Sequence, residues 1–197
     1  MEQRVSALLL AAGSSRRMGT CKQLLPVGDR TAVARCLETI VAAGLEDIIV
    51  VVGVGSEEVV ELVRPFPVTV VRNRSPDSDM AQSVRTGLAA VADSATGVCV
   101  ALADHPLVRP ETYRTLLQCH AREPGGIHIP VHGERRGHPT LFPRPVLEEI
   151  AILPTLRDVL ALHFGRVRTT AVPDPGVVLD MDTPEEYCRI LDMSRRG

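Results

Sequence analysis

The chain has 197 residues, of which 45% are hydrophobic and 23% are charged, with a formal net charge of -2. This length suits one domain with a sizeable core, and the composition is that of an ordinary globular protein. The weak negative charge argues against nonspecific binding to nucleic acid or anionic membranes, and an aromatic content of 3% argues against base-stacking platforms. No apolar run approaches the roughly 20 residues that a membrane helix needs. We therefore expect one domain over residues 1–197, with neither nucleic acid nor membrane as a partner.

Strands and helices alternate through the first half of the chain. Apolar runs predict strands at residues 5–10, 47–52, 68–71 and 97–103, and helical spacing predicts helices at 31–43, 56–63 and 80–92. Gly44 is a stop signal after the first helix, Ser56 is the expected N-cap of the second, and residues 73–79 form a polar turn. This order favours a mostly parallel sheet, because parallel strands need crossover connections.

The second half of the chain is less regular. We predict helices at residues 110–122, 143–150, 155–163 and from Pro184 to about residue 193, and strands at 127–131, 139–142 and 167–172. The strands at 127–131 and 139–142 flank a polar turn and are expected to form a small β-hairpin insertion at the sheet edge. Together these elements predict an α/β fold of three α/β/α layers with a Rossmann-like, mostly parallel sheet.

The five cysteines bear on the cellular compartment. Their number is odd and no Cys-x-x-Cys pair occurs, which favours reduced thiols in a cytoplasmic protein over a disulfide framework. Residues 1–15 imitate a secretory signal peptide, because Arg4 precedes a short apolar run. We interpret this run as the first strand, since Glu2 interrupts the basic region and the following residues form a coherent loop.

Residues 8–26 carry the clearest functional pattern. An apolar strand ends in small residues, two arginines stand between Gly13 and Gly19, and Lys22 follows closely. Glycine lets the backbone approach a ligand, and backbone amides together with cationic side chains suit a polyphosphate. The spacing fits neither a Walker A motif nor the Gly-x-Gly-x-x-Gly dinucleotide fingerprint. We interpret the segment as a nucleoside triphosphate loop at the carboxyl end of the first strand.

The same stretch resembles the opening motif of an enzyme family. The run Leu-Ala-Ala-Gly-Ser-Ser-Arg-Arg-Met-Gly-x-x-Lys-x-Leu-Leu-Pro is similar to that of MobA-like nucleotidyltransferases related to molybdenum cofactor biosynthesis. The resemblance implies the nucleotide-diphospho-sugar transferase fold, of GT-A type, and phosphate neutralisation by Lys22 and Arg17. It also implies a nucleotide-binding set made of Leu10, Ala11, Ala12, Gly13, Ser14, Ser15, Arg16, Met18, Gly19 and Ser83.

Two further stretches fit this family in the same order. Residues 79–87 resemble the segment in which a serine, here Ser83, helps to hold the base and ribose. Asp104, at the end of a predicted strand, matches the family's Mg²⁺-binding aspartate. A carboxylate at that position is a suitable hard ligand, because Mg²⁺ prefers one or two carboxylates plus phosphate oxygens. Asp104 and the triphosphate loop are expected on the same rim of the sheet.

An acidic turn and a Gly-His-Pro segment complete the resemblance. Asp182 is a candidate second metal ligand, and Asp180 is a further candidate for the same site. Either Asp182 or Thr183 is expected to cap the last helix. Gly-His-Pro is typical of the cytidylyltransferase branch, so His138 would face the acceptor. His105 stands where the family usually has Gln or Met, and it either contacts the second substrate or is a tolerated substitution.

The implied reaction is Mg²⁺-dependent transfer of a nucleoside monophosphate to a phosphate-bearing acceptor, with release of pyrophosphate. The run from Ala11 to Gly13 favours CTP, because the family's GTP-using branch has Ala-Gly-Gly there. The acceptor would be molybdopterin, and a molybdoenzyme or its maturation factor would be a protein partner. Two alternatives remain: another nucleotide and acceptor on the same fold, or a noncatalytic or redox-associated accessory protein of the same family.

Overall fold

A computed structural model describes residues 4–13, 20–75 and 79–195. The strands are β1 Val5–Ala11, β2 Pro26–Val27, β3 Arg30–Thr31, β4 Ile48–Val52, β5 Thr69–Arg72, β6 Gly97–Leu102, β7 Ile127–His132, β8 Arg135–Arg136, β9 Thr140–Pro143 and β10 Val167–Ala171. The α-helices are α1 Ala32–Ala42, α2 Glu57–Val63, α3 Met80–Leu88, α4 Pro110–Arg122, α5 Arg144–Glu148, α6 Leu156–Leu162 and α7 Pro184–Ser194.

The central sheet has the strand order β10-β7-β9-β6-β1-β4-β5, and β8 pairs with β7. The four strands β5, β4, β1 and β6 are parallel, β7 and β10 are parallel to each other, and β9 is antiparallel to β6 and β7. The predicted mostly parallel sheet is therefore confirmed. Because β1 and β6 are neighbours, the segments that follow them leave the sheet side by side.

Helices cover both faces of the sheet. On one face, Leu9 of β1 belongs to a core that includes Leu37 of α1 and Leu116 of α4. On the other face, Leu8 belongs to a core that includes Val84 of α3. Successive strand residues point to opposite faces, so β1 contributes to both cores, and the three-layer prediction is confirmed. No helix in the described part of the chain has the length and apolarity that crossing a bilayer requires.

The predicted placement of β7 and β9 at the sheet edge is wrong. β9 lies between β6 and β7, and β10 forms that edge. The physical reason is burial, since Ile127, Leu141 and Phe142 are at most 1% exposed, as expected for strands covered on both faces. A short hairpin does form between β7 and β8, and its turn contains Gly133 with a φ of 61°, which glycine adopts readily.

Most predicted element ends are within two residues of those observed, with one larger shift. α3 ends at Leu88, because the N–H groups of Ala90 and Val91 bond to carbonyls three residues earlier and tighten the chain into turns. Ser56 precedes α2, but its side chain makes no capping hydrogen bond. Its ψ of 33° differs from the extended conformation from which capping side chains reach the helix.

Candidate active site

A cleft of about 270 Å³ opens at the carboxyl ends of β1 and β6. This is the rim at which ligands bind in parallel α/β sheets. The lining residues are Leu10, Ala12, Gly13, Lys22, Gln23, Asp79, Met80, Ser83, Leu102, Ala103, Asp104 and Asp182. Four of the residues predicted to bind nucleotide are therefore together in one cleft, beside both predicted metal ligands.

Lys22 contacts both predicted metal ligands. Its Nζ atom donates to Asp104 Oδ2 at 2.5 Å and to Asp182 Oδ1 at 2.8 Å. The side chains of Lys22 and Asp104 are 12% and 16% exposed, so water screens their attraction less than it would at the surface. The fold thereby joins one cation and two carboxylates that are far apart in the sequence.

The ammonium group of Lys22 is held in its charged form. Burial alone would lower the pKa of Lys22, but the charges and hydrogen bonds of Asp104 and Asp182 outweigh that effect, and its pKa is raised. A lysine in this state keeps its full positive charge at neutral pH. It therefore suits the neutralisation of phosphate oxygens and not the role of a neutral general base.

Asp104 and Asp182 together suit a magnesium ion. Asp104 Oδ1 is buried and has no hydrogen-bond partner in the described part of the chain, so it retains an acceptor oxygen for a cation. Within residues 4–13, 20–75 and 79–195, no group of three or more His, Cys, Asp or Glu side chains is placed to hold a metal. Mg²⁺ takes one or two carboxylates and completes its coordination with phosphate oxygens and water. The donor set therefore fits a cation that binds together with a phosphate ligand.

Gln23 is a buried polar residue of the cleft that the sequence reasoning missed. Its Nε2 atom donates to the carbonyls of Ala11 and Gly13, each at 3.1 Å, and its side chain is 2% exposed. These bonds tie the end of β1 to the segment that carries Lys22. Nothing in the local pattern distinguishes this glutamine from a surface residue, because both of its partners lie 10 or more positions earlier in the chain.

Ser83 reaches the cleft from the first turns of α3. Asp79 is the N-cap of this helix, and its carboxylate accepts the N–H of Gln82 at 2.7 Å. The Ser83 hydroxyl accepts a hydrogen bond from Asn73 Nδ2 at 3.2 Å, and both residues are buried. Asn73 is a second residue that the sequence reasoning missed, because asparagine in a polar turn is ordinarily explained by the turn itself.

His105 and His138 lie next to Asp104 but do not line the cleft. Their ring centroids are 5.2 Å apart, and His105 Nε2 is 3.8 Å from Asp104 Oδ1. The Nδ1 atom of each ring is buried without a hydrogen-bond partner in the described part of the chain. Burial, with a smaller contribution from His105, lowers the pKa of His138 to about 4, so this ring is neutral at pH 7.

Gly137 allows the segment before His138 to pass close to another backbone. A Cβ atom at this position would lie 2.2 Å from the carbonyl oxygen of Val177. The N–H of His138 donates to that same carbonyl at 2.8 Å. Any larger residue would push the segment away, so the glycine of the Gly-His-Pro segment has a packing reason that the sequence motif alone does not give.

In the acidic turn before α7, one residue caps the helix and a different residue contacts the cleft. The Thr183 hydroxyl accepts the N–H of Glu186 at 3.2 Å, and the Glu186 carboxylate accepts the N–H of Thr183 at 2.9 Å. This capping box makes Thr183 the N-cap, so Asp182 is available to contact Lys22. Among the described residues, Asp180 forms no ion pair, and burial followed by the charge of Glu186 raises its pKa.

The remaining predicted site residues fall into two groups. Ala11 does not line the cleft, because its side chain is 2% exposed and packs in the core, while its carbonyl accepts from Gln23. The second group lies outside the described residues and consists of six residues predicted to contact the nucleotide: Ser14, Ser15, Arg16, Arg17, Met18 and Gly19.

The chain is similar in sequence and in structure to known proteins. It is 30% identical to nicotine blue oxidoreductase from Paenarthrobacter nicotinovorans over 200 residues, which covers 95% of this chain and 96% of that protein. It is 28% identical to the molybdenum cofactor cytidylyltransferase of Escherichia coli, covering 93% of both. The structure of Rv0371c from Mycobacterium tuberculosis matches with a TM-score of 0.80 and 36% identity, over 97% of this chain and 99% of that one. A complex of Rv0371c with manganese matches with a TM-score of 0.81 and 33% identity, over 96% and 99%.

The family assignment follows from a match that spans most of the chain. Residues 7–167 match the MobA-like NTP transferase domain. This range includes the end of β1, Lys22, Ser83 and Asp104, whereas Asp182, which also lines the cleft, lies beyond it. The two relatives that align over nearly their whole length and the similar structure of Rv0371c are consistent with this match. The chain therefore belongs to the MobA-like NTP transferase family.

Proposed function

We propose that this protein transfers CMP from CTP to a phosphate-bearing acceptor of the molybdopterin type, in a Mg²⁺-dependent reaction that releases pyrophosphate. The observation that supports this most strongly is the contact of Lys22 with Asp104 and Asp182 at a cleft that Ala12, Gly13 and Ser83 also line. Such a reaction needs little covalent help from the protein, because positioning and charge neutralisation lower its barrier.

In this proposal, the cleft binds the nucleotide through three kinds of contact. The apolar wall near Leu10 and Ala12 packs against the nucleoside, and Ser83 forms a hydrogen bond to it. Lys22 neutralises phosphate charge, and Arg17 and the backbone amides of the 14–19 segment would add to that neutralisation. An acceptor phosphate oxygen then forms a bond to the α-phosphorus as the bond from that phosphorus to pyrophosphate breaks.

Asp104 and Asp182 would hold the magnesium ion. When bound, the ion would stabilise the negative charge that develops on the phosphate groups during transfer. Asp104 Oδ1, which accepts no hydrogen bond from the described residues, supports this assignment. The two carboxylates that contact the Lys22 ammonium group support it as well. The manganese complex of Rv0371c, at 33% identity, is consistent with a divalent cation in this family.

The acceptor would bind on the side of His105 and His138. The buried Nδ1 atoms of both rings have no hydrogen-bond partner among the described residues, which supports a polar ligand on this side of Asp104. The neutral imidazole of His138 supplies one donor and one acceptor, which suits a polar heterocycle or a protonated phosphate oxygen. The relative from Escherichia coli, named a molybdenum cofactor cytidylyltransferase, supports molybdopterin as the acceptor and CTP as the donor. A molybdoenzyme or its maturation factor would then receive the product.

One specific observation favours an alternative. The relative named nicotine blue oxidoreductase is 30% identical across nearly the whole chain, so a redox-associated role in the same fold deserves a direct test. A nucleotidyltransferase that uses another nucleotide, such as GTP, is the third possibility.

A pyrophosphate-release screen separates these functions. The purified protein with Mg²⁺ is incubated with each of the four NTPs, against molybdopterin-type and sugar-phosphate acceptors. We expect release only with CTP and the molybdopterin-type acceptor. Release with another pair would replace the substrates while keeping the reaction. No release with any pair, together with reduction of nicotine blue by an added nicotinamide reductant, would overturn the proposal in favour of redox chemistry.

A further inference from the structure

We infer that Asn73 is a positioning residue that makes the Ser83 hydroxyl a hydrogen-bond donor to the nucleoside part of the bound nucleotide. This inference rests on the nucleotide binding proposed above. It adds the direction of the hydrogen bond and the residue that sets it. The ligand atom that it requires is an acceptor, such as a base carbonyl, an unprotonated ring nitrogen or a ribose oxygen.

The orientation of the Asn73 amide follows from its partners. The backbone N–H of Ser75 donates to Asn73 Oδ1 at 3.1 Å. A backbone N–H can only donate, so the atom that receives it must be the amide oxygen. The other end of the amide is therefore the NH₂ group, and it faces Ser83 Oγ at 3.2 Å. The backbone N–H of Asn73 also donates to the carbonyl of Val52 at 2.8 Å, which fixes the residue at the end of β4.

The partner of Ser83 determines what its hydroxyl can offer to a ligand. Because Asn73 donates to it, the Ser83 oxygen acts as the acceptor in this bond and its single proton remains to be donated. Thr86 on the same helix provides a contrast, since its hydroxyl donates to the carbonyl of Gln82 at 2.8 Å. Within the described residues, the Ser83 hydroxyl has no such acceptor, although it is only 4% exposed.

The position of Ser83 directs that proton to the ligand. Ser83 lines the cleft together with apolar side chains from β1 and from the start of α3, Leu10 and Met80. An apolar wall suits a base or ribose, whereas the phosphates belong with the charge of Lys22. The nucleoside is therefore the part of the nucleotide that meets the hydroxyl.

The substitution Asn73→Asp tests this directly. It replaces the donating NH₂ group with an accepting oxygen and hardly changes the shape of the side chain. One carboxylate oxygen still accepts from Ser75, but the other can only accept from the Ser83 hydroxyl. The serine proton is then used within the protein, and lone pairs face the nucleoside. We expect the nucleotide Kd to rise roughly three- to tenfold, the effect of one lost neutral hydrogen bond, as in Ser83→Ala.

The measurement is titration calorimetry with a nucleoside triphosphate and with inorganic triphosphate. The series uses whichever of CTP, GTP, ATP and UTP binds most tightly, so an error in the proposed nucleotide does not decide the result. The Kd for inorganic triphosphate should stay unchanged, because the lost contact is to the nucleoside. The double variant Asn73→Asp with Ser83→Ala should bind no more weakly than Ser83→Ala alone. Thr86→Ala is the matched control, and it should leave both Kd values unchanged.

Three outcomes would overturn the inference. The first is that Asn73→Asp weakens nucleotide binding by the same factor in the wild type and in Ser83→Ala. That result would mean that the new charge or a structural change is responsible. The second is an equal loss for inorganic triphosphate. The third is an unchanged nucleotide Kd in Ser83→Ala, which decides the question even if Asn73→Asp fails to fold. A protein that binds the nucleotide as expected but releases no pyrophosphate would keep this inference and lose the proposed function.

Discussion

Lys22 is the only lysine in the chain, which contains 21 arginines. An ammonium is a compact charge with three donors, while a guanidinium is a planar fork. Lys22 uses one nitrogen to contact Asp104 and Asp182 at once, a geometry that suits the compact group. Amine-directed labelling with and without nucleotide would therefore report on one side chain besides the N-terminus.

At the residue scale, we predict that Lys22→Ala weakens CTP binding more than CMP binding. The reason is that Lys22 sits beside the carboxylates that are expected to hold the metal and its phosphate ligands. Titration calorimetry with both nucleotides measures the difference, and Arg72→Ala, which removes an exposed pair with Glu57, is the control. Equal losses for CTP and CMP would contradict a role aimed at the outer phosphates.

The second residue-scale prediction concerns Asp104→Ala, which should abolish Mg²⁺-dependent turnover, by more than roughly a hundredfold, without unfolding the protein. Asp104 lies beyond the end of β6, so its removal leaves the sheet intact. Pyrophosphate release measures the activity, and circular dichroism on heating measures the fold. Asp93→Ala is the control, because Asp93 is fully exposed, pairs with Arg144 and does not line the cleft. Retained activity in Asp104→Ala would rule out the metal assignment.

At the scale of elements, the distance between α3 and the sheet depends on Gly87. A Cβ atom there would lie 2.2 Å from Leu8 Cδ1 and 2.7 Å from Val51 Cγ2, both buried side chains of β1 and β4. α3 also carries Ser83, so the packing of this helix sets one wall of the cleft. Structural packing and the candidate site are therefore linked through a single helix.

We predict that Gly87→Ala lowers the free energy of unfolding by about 1–3 kcal/mol, although alanine is the better helix former. The cause is overpacking against Leu8 and Val51, and the same displacement of α3 should weaken nucleotide binding. Urea denaturation measures the stability. Gly125→Ala is the matched control, because a Cβ atom there meets nothing within 4 Å. An unchanged or raised stability in Gly87→Ala would mean that the helix moves away at no cost.

At the scale of the whole molecule, buried histidines couple stability to pH. His120 is 0% exposed, and burial followed by the nearby charge of His128 lowers its pKa to about 4. The pKa of His138 is also lowered. In the unfolded chain a histidine has a pKa of about 6.5, so it takes up a proton there before it does so in the folded state. Their contribution to stability is therefore complete above pH 6.5 and is lost as the pH falls towards 4.

We predict that the free energy of unfolding falls between pH 6.5 and 5, by up to about 1.4 kcal/mol per pH unit for each such histidine. His120→Gln should reduce this slope, because it removes one of the two groups. Urea denaturation at several pH values measures it, and the comparison at pH 7.5 gives the pH-independent cost of the substitution. Identical slopes in the wild type and the variant would contradict the role of His120.

The sequence by itself determined most of the local structure of this protein and the family to which it belongs. Hydrophobic periodicity depends on neighbouring residues, so strands and helices such as α4 could be predicted with their ends. The glycines, arginines and Lys22 after β1 indicated a phosphate ligand for the same reason, since their chemistry is contained in one continuous stretch. The resemblance then supplied Asp104 and Asp182 as partners from distant parts of the chain.

Only the tertiary structure decided which polar residues serve the cleft and where the later strands lie. β9 enters the sheet beside β6 because both of its faces are buried, which its short sequence does not encode. Gln23 and Asn73 acquire their roles from partners that the fold brings to them. The physical reason is that a hydrogen bond or a burial cost belongs to a pair of sites in space, whereas periodicity and motifs belong to the chain.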